Sequence, residues 1–273
     1  MKVIVGIESN RRVVNDAAVR LNAPVMVSAN SLWDDKKSKF KYAWLLKYGF
    51  KIHLDSGGFV AMKRYGGFRF SVEQYATLAM NLSPEWWAQM DQCCEPEVAA
   101  NRAEVFRRID ATAKNLHECR RAASEVGATP PMMVLQGWKP SDYVTGPAFD
   151  DPRFEWPNLV GVGSVCRRHL SGEDGLFAVI GRLDATLPPH VRLHLFGVKS
   201  TGAAMLKDHH RVESCDSMAW AASARQHSRK ASNEIGERVP CTNQVRADFM
   251  ESWTLKQRAA IKPSQQRYLF NND

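Results

Sequence analysis

The sequence predicts an α/β fold, a (β/α)8 TIM-like barrel with a basic, helical C-terminal appendage. Three observations lead there. Short apolar runs and helical stretches alternate at intervals of about 20–45 residues, the pattern of parallel strands joined by crossover helices. Seven or eight such runs follow one another without a long linker, which favours one barrel over two small domains. Acids, an amide or glycines close most of them, at the strand ends where such barrels gather functional residues. No Gly-x-Gly-x-x-Gly opens a helix after the first strand, so dinucleotide binding has no support.

Taken in order, Met1–Gly6 is apolar but is cut short by Glu8, Arg11 and Arg12, and reads as a first strand rather than a signal peptide. Val25–Ser28 and Ile52–Asp55 are the next buried strands, with a helical stretch Lys39–Tyr48 between them. Val72–Leu82 reads as a helix leading to the run Trp86–Asp91. The clearest helix spans Glu97–Val126, where Val98, Val105, Ile109, Thr112, Leu116 and Cys119 fall mostly at three- and four-residue steps. It starts either at Pro96 or at Asn101, which can form a capping box with Glu104; Gly127 stops it. The runs Met132–Gln136, Leu159–Gly163, Leu193–Gly197 and Val212–Asp216 complete the set, with a helix over Leu176–Ala185. Residues 1–224 are thus expected to form the catalytic barrel, and 225–273 a basic extension packed on it.

The chain has 273 residues, 44% apolar and 24% charged, ordinary values for a globular protein with a full core. No apolar run approaches the roughly 20 residues that span a bilayer, so no membrane partner is expected. The six cysteines (Cys93, Cys94, Cys119, Cys166, Cys215, Cys241) contain no C-x-x-C pair. That argues against a disulfide scaffold and for a cytoplasmic location, the host's cytoplasm if a phage encodes it. No cofactor and no metal are expected; His209-His210 reads as a solvated loop pair.

Net charge is +8, and +4 of it lies in the last 49 residues. A second basic cluster comprises Lys36, Lys37, Lys39, Lys41, Lys47 and Lys51, offset only by Asp34 and Asp35. Such patches suit a polyanion, since each phosphate contact releases counterions. Nucleic acid is therefore the expected partner.

The chemistry rests on Asp55, Asp91, Gln136 and Asp216, each closing an apolar run. An isolated Asp-Ser-Gly-Gly-Phe, as in residues 55–59, could be no more than a tight turn with an N-capping acid. Around one barrel mouth, however, three acids and an amide suit cleavage of a glycosidic bond to a nucleobase. One carboxylate attacks the anomeric carbon, another moves the proton of the base, and the rest read donors on its edge. Glycines let a planar ligand approach, and Phe59 offers it a face.

These fragments resemble the tRNA-guanine transglycosylases. Asp55-Ser56-Gly57-Gly58-Phe59 is similar to their D-S-G-G-[FY], Asp91-Gln92-Cys93 to D-E-C, and Leu135-Gln136-Gly137 to V-Q-G. Gly161-Val162-Gly163-Ser164-Val165 resembles the glycine loop, Phe196-Gly197-Val198 the M-G-V and Cys215-Asp216 the F-D. The resemblance implies Asp216 as nucleophile and Asp55 as general acid/base. Asp91, Gln136, Ser56, Gly57, Gly161, Gly163 and Gly197 would bind the base, and Phe59 and Phe196 would sandwich it. Arg225, with Arg229 and Lys230, would meet the nucleic acid. The family's C-x-C-x-x-C zinc motif is absent, and Trp220-Ala221-Ala222 replaces its P-T-R. A short, zinc-less, basic relative resembles the DpdA-type enzymes, which place 7-deazaguanines into DNA. Arg167 stands where the bacterial tRNA enzymes carry a Glu that accepts a cationic substituent. That implies a free base with a neutral nitrile, 7-cyano-7-deazaguanine. Two other readings remain open: tRNA as the substrate, or a non-catalytic barrel subunit that only binds nucleic acid.

Overall fold

The computed structural model describes residues 1–262. Its strands, in chain order, are β1 (Lys2–Ile7), β2 (Val25–Ser28), β3 (Trp33–Asp34), β4 (Lys39–Phe40), β5 (Ile52–Asp55), β6 (Trp86–Trp87), β7 (Val134–Leu135), β8 (Leu159–Val162), β9 (Arg192–Leu195) and β10 (Val212–Ser217). Eight of them form one parallel sheet in the order β6-β5-β2-β1-β10-β9-β8-β7. The sheet curls until its two edge strands meet. Ala88, just past β6, bridges Met132, just before β7, with Met132 N–H donating to the Trp87 carbonyl at 2.7 Å. This is the expected TIM-like α/β fold.

Strand periodicity explains the two faces of the wall. Ile52, Leu54 and Trp87 point outward into one apolar cluster, and Val160, Val162, Leu193, Leu195 and Cys215 into a second, both under the surrounding helices. The alternate residues, among them His53, Trp86, Val134 and His194, fill the interior. His53 meets Trp86 edge-on at 4.9 Å between centroids, and Trp86 meets His194 at 4.7 Å. The barrel interior is packed, and at its C-terminal mouth it opens into a cavity where the inward residues become polar or small.

The helices form where the caps allow. Ser71 makes a full capping box with Gln74 at the start of Val72–Leu82. The stretch after β6 contains both expected starts: a short helix Pro96–Ala99, then Arg102–Val126 with Asn101 accepting from Glu104 N–H and Gly127 closing it at φ +75°. Lys39–Tyr48 is not the expected helix. Residues 39–40 pair with β3, because Phe40 packs on Trp33 and Phe70 at 5.0 Å each, and only Ala43–Leu46 is helical. Aromatic burial overrides the local helical pattern there.

The described residues close with two long helices, Ala219–Ile235 and Asn243–Ala260. The boundary expected between residues 224 and 225 falls inside the first, and the remainder of the expected extension, 263–273, lies outside the described residues. Asn243–Ala260 buries Ala247 and Met250 against the rest of the fold, next to the helix Arg12–Arg20. Among the described residues no helix is long and apolar enough to cross a membrane.

Candidate active site

At the mouth, β5 delivers Asp55 and the chain turns at once into a short helix through Ser56-Gly57-Gly58. Gly57 takes a left-handed φ of +78°, and a Cβ there would lie 2.4 Å from the Asn30 amide. Gly58 allows a close approach: a Cβ on it would sit 2.3 Å from the Asp91 carbonyl oxygen and 2.7 Å from its carboxylate. Ser56 is fully buried and ties the two segments together, donating to Asp91 Oδ1 at 2.6 Å. Desolvation, reinforced by the charges of Asp91 and Asp216, pushes the Asp55 carboxyl up to about 8, although the Gly57 amide pulls it partly back. The acid form of Asp55 is therefore favoured at neutral pH.

Asp91 and Gln136 meet across the junction of β6 and β7. Gln136 Nε2 donates to Asp91 Oδ2 at 2.5 Å, and its Oε1 accepts from Ser164 Oγ at 2.6 Å. Ser164 in turn accepts from Cys94 N–H at 2.7 Å. The result is a buried row of donors and acceptors, Ser56–Asp91–Gln136–Ser164, along one wall. Burial raises the Asp91 pKa, while Ser56 and Gln136 oppose the rise.

Asp216 comes from β10, whose register slips by one residue between Val212 and Ser214. That bulge at Glu213 places Ser214 opposite His194 and turns Asp216 inward. Asp216 Oδ1 accepts from Gly197 N–H at 2.8 Å, and His194 Nε2 lies 3.4 Å from the same oxygen. Cys215 faces the other way, into the core.

One cavity of about 170 Å³ is lined by Asp55, Gly58, Phe59, Asp91, Cys93, Glu95, Gln136, Gly163, Ser164, Cys166, Phe196, Gly197 and Asp216. It brings together most of the residues singled out from the sequence. Ser56 and Gly57 stand behind its wall, and Gly161 lies beneath Phe196, where a Cβ would meet the ring at 2.6 Å. Arg225, Arg229 and Lys230 are exposed on Ala219–Ile235 and do not reach the cavity. That helix starts at the mouth and runs back along the barrel, so Arg229 stands about 15 Å from its start at 1.5 Å per residue.

Arg167 does not line the cavity either. Its guanidinium is exposed and bonds to Glu97, so the expectation of a cation beside the base is corrected. The group facing the cavity there is Glu95, 4% exposed, whose Oε1 accepts from the Cys166 thiol at 3.3 Å while Oε2 has no partner. Burial raises its pKa. Gly58, Cys93 and Ser164 stand in the motifs read from the sequence but carry no role of their own there, and sequence reading misses Glu95, Cys166 and His194. Glu95 and Cys166 lie in the loops that follow β6 and β8, and His194 alternates inward in Leu-His-Leu, the same pattern as His53 in Ile-His-Leu.

A metal has one clustered donor set among the described residues, Asp184, His209 and His210. It lies before β10, at the opposite end of the barrel, and Asp184 Oδ1 already takes the Arg211 guanidinium at 2.6 Å. It has no part in this cavity.

The profile of DpdA, DeoxyPurine in DNA protein A, matches residues 25–268. The chain belongs to the DpdA family. The match takes in the strands that carry Asp55, Asp91, Gln136 and Asp216. The family is one of DNA-modifying transglycosylases, which implies DNA as its substrate. No curated protein matches the chain.

Proposed function

We propose that this DpdA protein exchanges guanine in DNA for a free 7-deazaguanine through a glycosyl ester on Asp216. The observation that carries the reading is the single cavity in which Asp55 and Asp216 face a row of base-edge partners between two phenylalanines. The free Asp216 oxygen bonds to the anomeric carbon of the target nucleotide as the bond from that carbon to the guanine nitrogen breaks, and the electron pair leaves with the base. The proton on Asp55 neutralises the departing base. In the second half the incoming 7-deazaguanine returns its ring proton to Asp55, its nitrogen attacks the anomeric carbon, and Asp216 leaves as carboxylate. Asp91 and Gln136 accept from and donate to the base edge in both halves.

For the incoming base, 7-cyano-7-deazaguanine suits a cavity with no lining cation and with buried carboxyls biased toward their acid forms. Acid-form Glu95 can donate to a nitrile nitrogen from its unpartnered side. The DNA strand must cross the mouth. The exposed cations Arg64, Lys139 and Lys199, on segments that follow β5, β7 and β9, are therefore better placed to meet phosphates than Arg229 or Lys230.

The test is incorporation of labelled 7-cyano-7-deazaguanine into DNA, with trapping of a DNA–protein adduct. Asp216→Asn should abolish both, and Asp55→Asn should bind DNA but lose turnover. Near-normal incorporation by Asp216→Asn would remove the reading.

A further inference from the structure

Beneath the nucleophile lies a contact that the exchange chemistry above does not use. His194 is wholly buried and sits between the rings of Trp86 and Phe196, at 4.7 and 4.6 Å between centroids. Its Nδ1 is 2.9 Å from Ser214 Oγ, which fixes the ring plane. Its Nε2 has no hydrogen-bond partner and lies 3.4 Å from Asp216 Oδ1. A buried polar atom left unpaired costs free energy unless another state of the protein uses it. The β10 bulge creates this arrangement: without the extra residue, Glu213 and not Ser214 would stand across from His194.

We infer that His194 is a positioning residue for the nucleophile: with Ser214 donating to Nδ1, its Nε2–H is aimed at Asp216 Oδ1 and leaves the second carboxylate oxygen free to attack. This rests on the proposed role of Asp216. The order Ser214–His194–Asp216 looks like a hydrolase triad, but here the serine is the buried end and the carboxylate faces the substrate. The ring thus serves the acid rather than activating the hydroxyl.

Gly197 N–H donates to Oδ1, the oxygen that becomes the ester carbonyl, and His194 Nε2 lies 3.4 Å from the same oxygen, near enough for its N–H to reach it once the site closes on substrate. Two donors on Oδ1 stabilise the carboxylate more than the ester, so they make Asp216 a better leaving group in the second half. Hydrogen bonds of this kind are commonly long in the free enzyme and shorten once the substrate is bound. The other groups facing the ring do not compete for its proton. His53 on β5 is held down to about 4 by desolvation and is neutral, and Trp86 and Phe196 present only ring edges and faces. Ser214 also lines a cavity of about 150 Å³ at the N-terminal end of the barrel, with Lys2, His53 and Glu85. The relay can therefore equilibrate with solvent from below while a base fills the mouth.

The experiment compares His194→Phe, which keeps the aromatic packing and removes the donor, with His194→Gln, whose amide N–H can replace Nε2–H. Single-turnover adduct formation is followed against pH, with thermal melting as the control for folding. Loss of the donor should move the acid limb of adduct formation up by about one pH unit in His194→Phe, and His194→Gln should restore it. Breakdown of the adduct by added base should slow about tenfold in His194→Phe. A folded His194→Phe with the wild-type acid limb and wild-type breakdown would overturn the inference while leaving Asp216 as nucleophile. A wild-type adduct mapped to a residue other than Asp216 would instead overturn the reading on which the inference rests.

Discussion

Gly58→Ala tests whether the cavity needs Asp91 where it is. Gly58 has no positive φ, so alanine is acceptable to the backbone, and the change should even favour the short helix it starts. The added Cβ would lie 2.3 Å from the Asp91 carbonyl oxygen and 2.7 Å from Oδ1. Ordinary contact begins at 3.4 Å, so the Asp91 segment must retreat by about 1 Å. It cannot do so alone, because Ser56 and Gln136 hold its two carboxylate oxygens. A displacement of about 1 Å at a positioning group costs about 10²-fold in rate, or about 3 kcal/mol of transition-state stabilisation. The overpacking should cost about 1–3 kcal/mol of stability. The assay is kcat/KM for labelled-base incorporation beside a thermal melt, with Gly67→Ala as control, since a Cβ there meets nothing within 4 Å. A folded Gly58→Ala within about threefold of wild type would refute the assignment of Asp91 to the base edge.

Four further outcomes are expected. Because the Asp55 pKa is raised to about 8, its acid form dominates below that pH, so kcat should be level there and fall tenfold per unit above it. The folded state also holds this proton more tightly than the unfolded chain, so stability declines as pH rises from the unfolded value toward about 8, and Asp55→Asn should melt above wild type at pH 9; an unchanged difference between pH 6 and 9 would contradict this. If Glu95 reads the substituent, the ratio of aminomethyl- to cyano-base use should rise with pH in the wild type, as Glu95 ionises, and stay flat in Glu95→Gln; competition between the two labelled bases measures it. Neutralising Arg64, Lys139 and Lys199 together should reduce the slope of log affinity against log salt by up to about 3, whereas Arg229, Lys230 and Arg238 together should change it by less than about 1.

The barrel was legible because its strand ends are punctuated. Asp55, Gln136 and Asp216 each close an apolar run, and that position alone places a side chain at the mouth of a parallel barrel. What was illegible depends on distances that no run of residues encodes. Arg167 occupies a mouth loop as expected, but a long guanidinium follows the nearest exposed carboxylate, and Glu97 is there. Glu95 reads as a loop acid until its burial against Cys166 is seen. His194 and Ser214 are brought face to face by a one-residue slip in register, which leaves no mark on the alternation of Val-Glu-Ser-Cys-Asp. The helix expected over Lys39–Tyr48 failed for a similar reason, since Phe40 is claimed by Trp33 and Phe70 from other segments.

The seam of the barrel has mechanical meaning. β6 and β7 are two residues long, and between them the sheet closes through the Ala88–Met132 bridge, where most wall joints have three or four paired positions. Gln89 reinforces the joint with its side chain, which accepts from Val134 N–H at 3.0 Å and donates to the Thr112 carbonyl at 2.5 Å. Behind it there is a partly open, mainly apolar pocket of about 230 Å³, lined by Gln89, Leu116, Leu135 and Phe149. A hoop with one short clasp and space behind the clasp widens there before it widens anywhere else. Asp91 and Gln136 stand on the two sides of that clasp, so the barrel can spread the pair that holds a base edge without disturbing Asp216 on the opposite arc. Amide protons of Gln89, Met132 and Val134 should accordingly exchange faster than those of β1 and β10, and a bound base that grips both sides should slow them.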